Sequence, residues 1–206
     1  MVSFFCNENN ENEESKIYLA SQSPHRAKLL KEAGIDFTLL PPDDVEQRWN
    51  KKEEPNQYAC RMACLKALNV ADKINCGMII GCDTVTYCCD ELLGKPKDKN
   101  DARKMLKFLR GRRQQVISGL CVIKKKLDNP CLMTNFVSVQ TYLVMRHIKD
   151  KTLEEYLDTG AWIGKAGSFE YQNYNSWIKI LEGSESNVIG LPLENLFELL
   201  EKMKYL

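Results

Sequence analysis

Hydrophobic and polar positions alternate along the chain in blocks that predict strands and helices in turn. A short apolar strand over 17–20 leads into a helix ending near Ala33, because Ser23 suits the N-cap, Pro24 the first helical turn and Gly34 the C-terminal stop. The same spacing rules predict, in chain order, a helix over 56–73, a buried strand over 78–82, a hairpin of 84–88 with 92–94, a helix over 101–110, and long strands over 115–125 and 132–146 that flank a turn at Asp128-Asn129-Pro130.

The C-terminal part of the pattern is more interrupted. Thr152 and Glu155 have capping-box spacing at the start of a short helix that ends by Gly160. A glycine-rich segment follows, then a strand near 177–181 and an amphipathic helix after Pro192. Because strands and helices alternate throughout, we expect an α/β or α+β fold with a mixed sheet.

Composition and charge limit the class of protein. Residues 1–15 end in a polar stretch rich in Asn and Glu and are predicted to form a disordered tail, which leaves 16–206 as the folded domain. With 29 basic and 28 acidic residues, the net charge of +1 provides no broad field for binding nucleic acid or an anionic membrane, so any anion-binding charge must be local. No apolar run approaches the roughly 20 residues of a membrane span, and no secretion signal is recognisable.

The nine cysteines are odd in number and lie mostly in apolar runs, as reduced thiols do. Neither a CxxC pair nor a His/Cys cluster indicates a zinc site. We therefore expect a reducing compartment and a cytoplasmic protein.

The first candidate site lies where the first strand turns into the first helix. The backbone N–H groups and the helix dipole at this turn face one spot, which favours an anion. Arg26 adds a planar donor fork suited to phosphate oxygens, and the hydroxyls of Ser21 and Ser23 can donate to them. An ordinary capped helix with a surface arginine is the alternative.

A carboxylate and two lysines form the second candidate. Asp83 interrupts an apolar run, and a buried unpaired carboxylate costs roughly several kcal/mol, so it should meet a metal, a base or water unless it binds turn N–H groups. Lys95 closes the predicted hairpin, whose pairing brings its ammonium to the same end of the sheet as Asp83. Lys66 lies on an apolar helix stripe; periodicity favours a side chain that snorkels to solvent over one that reaches a polar site.

The third candidate is the loop over 164–172, in which small residues accompany Lys165. It lacks the spacing of a Walker loop, so it is either a phosphate cradle of another kind or a flexible connection. Gln172 has both donor and acceptor capacity for a base edge.

These candidate segments resemble the motifs of one family. Five segments are similar, in order, to motifs of the Maf family. Residues 19–26, 81–85 and 94–96 resemble L-A-S-x-S-P-R-R, G-A-D-T-V and G-K-P, residues 160–172 resemble the stretch T-G-E-x-x-x-K-A-G-x-x-x-x-Q, and residues 187–193 resemble N-V-x-G-L-P-L. The order and spacing of the blocks cover nearly everything from Lys16 onward. The resemblance implies a Maf/ITPase-like mixed β-sheet with flanking helices and a nucleotide-binding cleft, in a cytoplasmic protein that is often a homodimer.

The resemblance also implies an activity, the metal-dependent hydrolysis of a nucleoside triphosphate to a monophosphate and pyrophosphate. Asp83 matches the family's proton acceptor, and positions associated with phosphate or metal binding match Arg26, Glu46, Lys66 and Lys95. With Mg²⁺ or Mn²⁺ as the cation, Asp83 and Glu46 are the expected ligands, although the motif does not separate a base from a ligand at Asp83.

Three positions separate pyrimidine-selective members of the family from those selective for 7-methylguanine. Thr84 and Gln172 match the dTTP/UTP type, whereas His25 replaces the usual arginine and matches neither type. We therefore expect a preference for UTP or dTTP with looser discrimination. The chain also departs from the family pattern at Gln114-Gln115, where histidine is common, at Ala161 in place of glutamate, and at Asn173 and Asn175 in place of glycines.

Two other functions remain open. The altered residues around the cleft are consistent with a non-catalytic nucleotide-binding regulator on the same scaffold, and a 7-methyl-GTP pyrophosphatase is the other alternative. A nucleic-acid-binding module is disfavoured, because the chain lacks both net positive charge and an aromatic-basic stripe.

Overall fold

A computed structural model describes residues 15–127 and 129–203, so the predicted tail lies outside the described residues except for Ser15. The helices are α1 (Pro24–Glu32), α2 (Pro55–Ala71), α3 (Lys99–Leu109), α4 (Asp150–Asp158), α5 (Tyr171–Tyr174), α6 (Glu185–Ile189) and α7 (Leu193–Lys202). The strands are β1 (Ile17–Ala20), β2 (Thr38–Leu39), β3 (Gly77–Cys88), β4 (Glu91–Leu93), β5 (Arg113–Lys126), β6 (Asn129–Met145) and β7 (Ile178–Glu182). Short 3-10 turns cover Ala166–Ser168 and Asn175–Trp177.

The strands form one mixed sheet in the order β2-β1-β3-β5-β6-β7, in which β1 is parallel to β2 and β3 and the remaining neighbours are antiparallel. One edge of β3 is shared by two strands. β1 pairs with residues 78–81, and β4 pairs with residues 86–88. Among the described residues no strand covers 82–85 on this edge, which we call the open edge of β3. The predicted mixed sheet with flanking helices is confirmed.

The two faces of the sheet are packed by different helices. Side chains alternate between the faces with a period of two, and on β3 and β5 the odd-numbered residues face α2. A Cβ atom added at Gly81 would lie 2.3 Å from the Ala63 carbonyl oxygen, and one at Gly119 would lie 2.1 Å from that of Ala59. Only glycine allows α2 to pack this closely, and this contact holds Lys66 of α2 above β3.

The opposite face carries two separate hydrophobic clusters. Even-numbered residues of β3 and β5, among them Cys82 and Leu120, pack against α1 and α7 near one end of the strands. Cys88 and Val116 pack against α3 and α4 near the other end. The face is therefore divided along the strands, with a cleft between the two groups of helices.

Local signals predicted most helix boundaries. Ser23 caps α1 and accepts a hydrogen bond from the Arg26 backbone N–H at 3.4 Å, and Gly34 adopts a φ of +75° just after the helix. The capping box at Thr152 is wrong, because α4 begins at Asp150 and Thr152 lies in its first turn. The predicted turn over 128–130 is also too long, since β6 already begins at Asn129. Across the described ranges, every helix is too short or too polar to traverse a bilayer.

Candidate active site

A cavity of about 590 Å³ wraps around the open edge of β3 and reaches both faces of the sheet. Nearly all the side chains predicted from the sequence line this cavity: Ser21, Ser23, His25, Arg26, Glu46, Lys66, Asp83, Thr84, Lys95 and Lys165. Gln172 lies outside the lining and reaches it only through a contact with His25. The fold thus brings together segments that are far apart in the chain.

A lysine between two carboxylates occupies the α2 side of the cavity. Lys66 Nζ donates to Asp83 Oδ1 at 2.5 Å and to Glu46 Oε1 at 3.3 Å. Lys66 is 7% exposed and Asp83 8% exposed, so the interpretation of Lys66 as a snorkelling side chain is wrong. The apolar stripe of α2 faces the sheet, and the carboxylates offset the cost of burying an ammonium there.

Glu46 comes from the loop between β2 and α2. Tyr58 anchors this loop, because its hydroxyl donates to the Gln47 carbonyl oxygen at 2.8 Å. Lys95 lies just after β4, and its Nζ is 3.6 Å from Glu46 Oε1, although its side chain is 64% exposed. Burial raises the pKa of Glu46, but Lys66 and Lys95 outweigh burial and hold this pKa below its ordinary value. Glu46 is therefore an ionised bridge between a buried and an exposed lysine.

Arg26 organises the other side of the open edge. Its Nε donates to the Gly190 carbonyl oxygen at 2.7 Å, its Nη1 to Ser21 Oγ at 3.3 Å and its Nη2 to Thr84 Oγ1 at 3.0 Å. The Thr84 hydroxyl is in turn 2.8 Å from Ser118 Oγ. A guanidinium has five N–H donors, so two remain for a ligand.

The loop over 164–172 contributes Lys165 to the cavity, next to His25. His25 Nδ1 is 2.7 Å from Gln172 Oε1, and Lys165 Nζ contacts His25 Nε2. Because Nδ1 faces an amide oxygen and Nε2 faces an ammonium, the neutral imidazole with its proton on Nδ1 satisfies both contacts. Burial lowers the pKa of Lys165, and the nearby Glu170 carboxylate opposes this shift.

Hydrogen bonds anchor the loop over 164–172 to the rest of the domain. The Tyr156 hydroxyl donates to the Ser168 carbonyl oxygen at 2.9 Å and accepts from the Glu170 backbone N–H at 3.0 Å. The Gly167 N–H donates to the Gly94 carbonyl oxygen at 3.0 Å, which fixes the loop beside Lys95. The sequence signalled none of these anchors except the glycines.

Sequence reasoning also missed two residues that contact the side chains of the site, Gly190 and Ser118. Gly190 has a φ of +118°, in the region that favours glycine, and so presents its carbonyl oxygen to Arg26. It belongs to the 187–193 block, whose spacing marked it as family-like without giving it a role. Ser118 had no signal beyond being a hydroxyl in an apolar strand.

The donor set fits a divalent cation that is shared with a ligand. Within residues 15–127 and 129–203 no group of three or more His, Cys, Asp or Glu side chains is arranged to hold a metal by itself. Asp83 and Glu46 nevertheless converge on one cationic group, Lys66 Nζ. Two carboxylates completed by substrate phosphates are a usual environment for Mg²⁺.

The broken sheet edge, the buried lysine–carboxylate cluster and the arginine network define an α/β protein with a charged cleft for a phosphate-bearing ligand. The chain belongs to the Maf family, since the family model described as Maf-like protein matches residues 16–203.

Curated relatives are similar in sequence to this chain over most of its length. It is 40% identical over 195 residues to a dTTP/UTP pyrophosphatase of Rhodopirellula baltica, covering 94% of this chain and 84% of that protein. It is 37% identical to the dTTP/UTP pyrophosphatases of Ruminiclostridium cellulolyticum and Geotalea uraniireducens, covering 91% and 92% of this chain and 95% of each relative.

Among solved structures, a nucleoside-triphosphatase / dITP/XTP pyrophosphatase from Mycobacterium abscessus overlaps with a TM-score of 0.37 at 12% identity. The overlap covers 65% of this chain and 75% of that chain, and it is too small to support an argument about fold or function.

Proposed function

We propose that this protein hydrolyses UTP or dTTP to the nucleoside monophosphate and pyrophosphate with a divalent cation. It is a nucleoside triphosphate pyrophosphatase, as its relatives named dTTP/UTP pyrophosphatase are. The observation that carries the proposal is the position of Asp83, which is buried against Lys66 at the open edge of β3 inside the cavity. At this position the carboxylate can contact a water molecule in the cavity while it remains shielded from bulk solvent.

Asp83 acts on the attacking water. In the proposed reaction the water oxygen attacks the α-phosphorus, the bond to the bridging oxygen of the pyrophosphate breaks, and Asp83 orients the water or accepts its proton. Lys66 orients Asp83, because its ammonium donates directly to Oδ1. Orienting the water and accepting its proton both depend on the carboxylate at position 83.

Charge on the phosphates is neutralised from two sides. Lys95 lies at the exposed end of the cluster, where its ammonium can neutralise charge on the leaving pyrophosphate. Arg26 and the first N–H groups of α1 hold the remaining phosphate oxygens, with Ser21 and Ser23 as additional donors. Lys165 extends this set from the opposite wall.

The charges lining the cavity also favour a metal-bound triphosphate over a bare one. Four cationic side chains, Arg26, Lys66, Lys95 and Lys165, are balanced there by the carboxylates of Asp43, Asp44, Glu46 and Asp83. A Mg²⁺ or Mn²⁺ ion held by Asp83 and Glu46 would neutralise the phosphates and lower the pKa of a bound water.

The decisive experiment is a product assay on the purified chain. UTP, dTTP, CTP, 7-methyl-GTP and the common purine triphosphates are each incubated with Mg²⁺ or Mn²⁺, and the products are separated by ion-exchange chromatography. We expect the monophosphate and pyrophosphate to appear together, fastest from UTP or dTTP. Orthophosphate and a diphosphate appearing first would refute the reaction, and a preference for 7-methyl-GTP would refute the choice of base. An Asp83→Asn preparation purified in parallel measures contaminating phosphatases.

A further inference from the structure

The cavity has an apolar part that the phosphate-binding residues do not explain. It lies against the cluster of α3 and α4, and its walls are the side chains of Leu109, Val116, Leu143, Met145, Phe169 and Ile178. Apolar walls with a few polar groups are typical of pockets for planar organic groups such as a base.

One polar side chain in this part lacks a partner. Gln114 of β5 lines the cavity and is 5% exposed, and its Nε2 is buried without a hydrogen-bond partner among the described residues. Two other buried side-chain atoms there share this property, Ser138 Oγ and Asn187 Oδ1, but neither residue lines the cavity. An unpaired buried donor is destabilising and calls for an explanation.

The position of Gln114 on its strand places its side chain on the face that carries the apolar part of the cavity. Even-numbered residues of β5 share one face, so Gln114 is on the side of Val116 and Ser118. Gln114 also borders a second cavity of about 360 Å³ at the end of the strands, whose lining includes residues from both faces of the sheet. The terminal torsion of glutamine is broad and roughly two-fold, so the amide can turn its N–H toward an arriving acceptor.

We propose that Gln114 binds the nucleotide's base by donating a hydrogen bond from its amide to a carbonyl oxygen of uracil or thymine. The inference rests on the proposed function, because it requires a nucleotide in the cavity. Gln172 is less suited to this role: it lies outside the lining, and its Oε1 is 2.7 Å from His25 Nδ1. Gln172 positions the His25 ring, and Gln114 meets the base.

The test compares UTP with ribose 5-triphosphate, which has the same phosphates but no base. In Gln114→Met and Gln114→Glu, the ratio of kcat/KM for UTP to that for ribose 5-triphosphate should fall about ten- to hundredfold, because the amide donor is lost. Gln115→Met, a change on the same strand but the other face, should keep this ratio within about twofold of wild type.

The melting temperature distinguishes recognition from structure. Methionine fills a similar volume without an unpaired N–H, so the melting temperature of Gln114→Met should equal or exceed that of wild type. An unchanged ratio in Gln114→Met, an equal loss on both substrates, or a lowered melting temperature would each overturn the assignment.

Calorimetric titration with α,β-methylene-UTP separates this inference from the proposed reaction. If wild type binds the analogue but releases no pyrophosphate from any nucleotide, the proposed reaction is wrong. The ratio of the Kd values of Gln114→Met and wild type for the analogue then still tests the role of Gln114. A tenfold or greater weakening of binding supports it, and equal binding contradicts it.

Discussion

At the scale of single residues, Lys66 links the fold to the chemistry. It comes from a helix that packs on the sheet through glycines, and its ammonium holds Asp83 and Glu46 together. The two carboxylates offset the cost of burying this lysine. One side chain therefore connects the packing of α2 with the arrangement of the two carboxylates in the cavity.

Asp83→Asn should lower turnover by roughly 10² to 10⁴, the usual effect of losing a general base. The variant should stay folded, since the asparagine oxygen still accepts from Lys66 and Glu46 remains. Steady-state pyrophosphate release and thermal melting measure the two effects, with Asp90→Asn in the exposed β3–β4 turn as the matched control. Near-normal turnover with an unchanged melting transition would show that Asp83 is not the centre of the reaction.

Lys165 should produce an alkaline limb in the pH profile. Burial lowers the pKa of this ammonium from its ordinary value of 10.5, so the positive charge is lost at a lower pH than in an exposed lysine. Since kcat/KM reports groups of the free enzyme, it should fall as the pH rises through this lowered pKa. In Lys165→Arg the charge persists and the limb should move to higher pH, whereas the exposed control Lys97→Arg should leave it in place. An identical limb in Lys165→Arg would exclude this residue from binding phosphate.

At the scale of elements, the contact between α2 and the sheet determines where Lys66 lies. The helix approaches β3 and β5 so closely that glycine is required at 81 and 119. A change in this contact alters the stability of the domain and the position of Lys66 together.

Gly81→Ala tests this contact. The added methyl group would lie 2.3 Å from a backbone oxygen of α2, so the helix must move, which typically costs about 1–3 kcal/mol. We expect reduced stability in urea denaturation together with reduced turnover. Gly94→Ala is the control for stability, because nothing lies within 4 Å of its added methyl group. Equal denaturation midpoints for the two variants would contradict the close packing.

The sequence predicted those elements that carry local signals. The caps of α1, the β3–β4 hairpin and the amphipathic α7 depend on residues close together in the chain. The open edge of β3 depends on where β1 and β4 stop, and this is a property of long-range pairing that no local spacing encodes. For the same reason, periodicity placed Lys66 on the apolar stripe of α2 but did not show that carboxylates lay opposite it.

At the scale of the whole molecule, the cleft separates two groups of helices on one face of the sheet. Residues from α1, from α2 and from the loop over 164–172 meet at this cleft. A ligand that contacts all three segments therefore stabilises the folded chain as a whole.

Binding of α,β-methylene-UTP with Mg²⁺ should raise the melting temperature. At one hundred times its Kd a ligand adds about 2.7 kcal/mol to the free energy of unfolding, and each kcal/mol shifts the melting temperature by about 2–4 °C in a chain of this size. Differential scanning fluorimetry should therefore show a shift of about 5–11 °C. The shift should shrink when EDTA removes the cation, and an equal shift in EDTA would argue against a metal-bound complex.

The alternation of β3 has a consequence for how such a protein can change over generations. Asp83 and Thr84 are neighbours in sequence, yet one points toward α2 and the other toward α1, and within the described part of the chain their side-chain hydrogen bonds share no partner. Substitutions on the Thr84 side change the surroundings of Arg26 and Ser118, while the contact between Asp83 and Lys66 stays intact. An insertion that shifts the strand by one residue moves every side chain to the opposite face. Single substitutions at this position are therefore tolerated better than insertions, which remove both sets of contacts together.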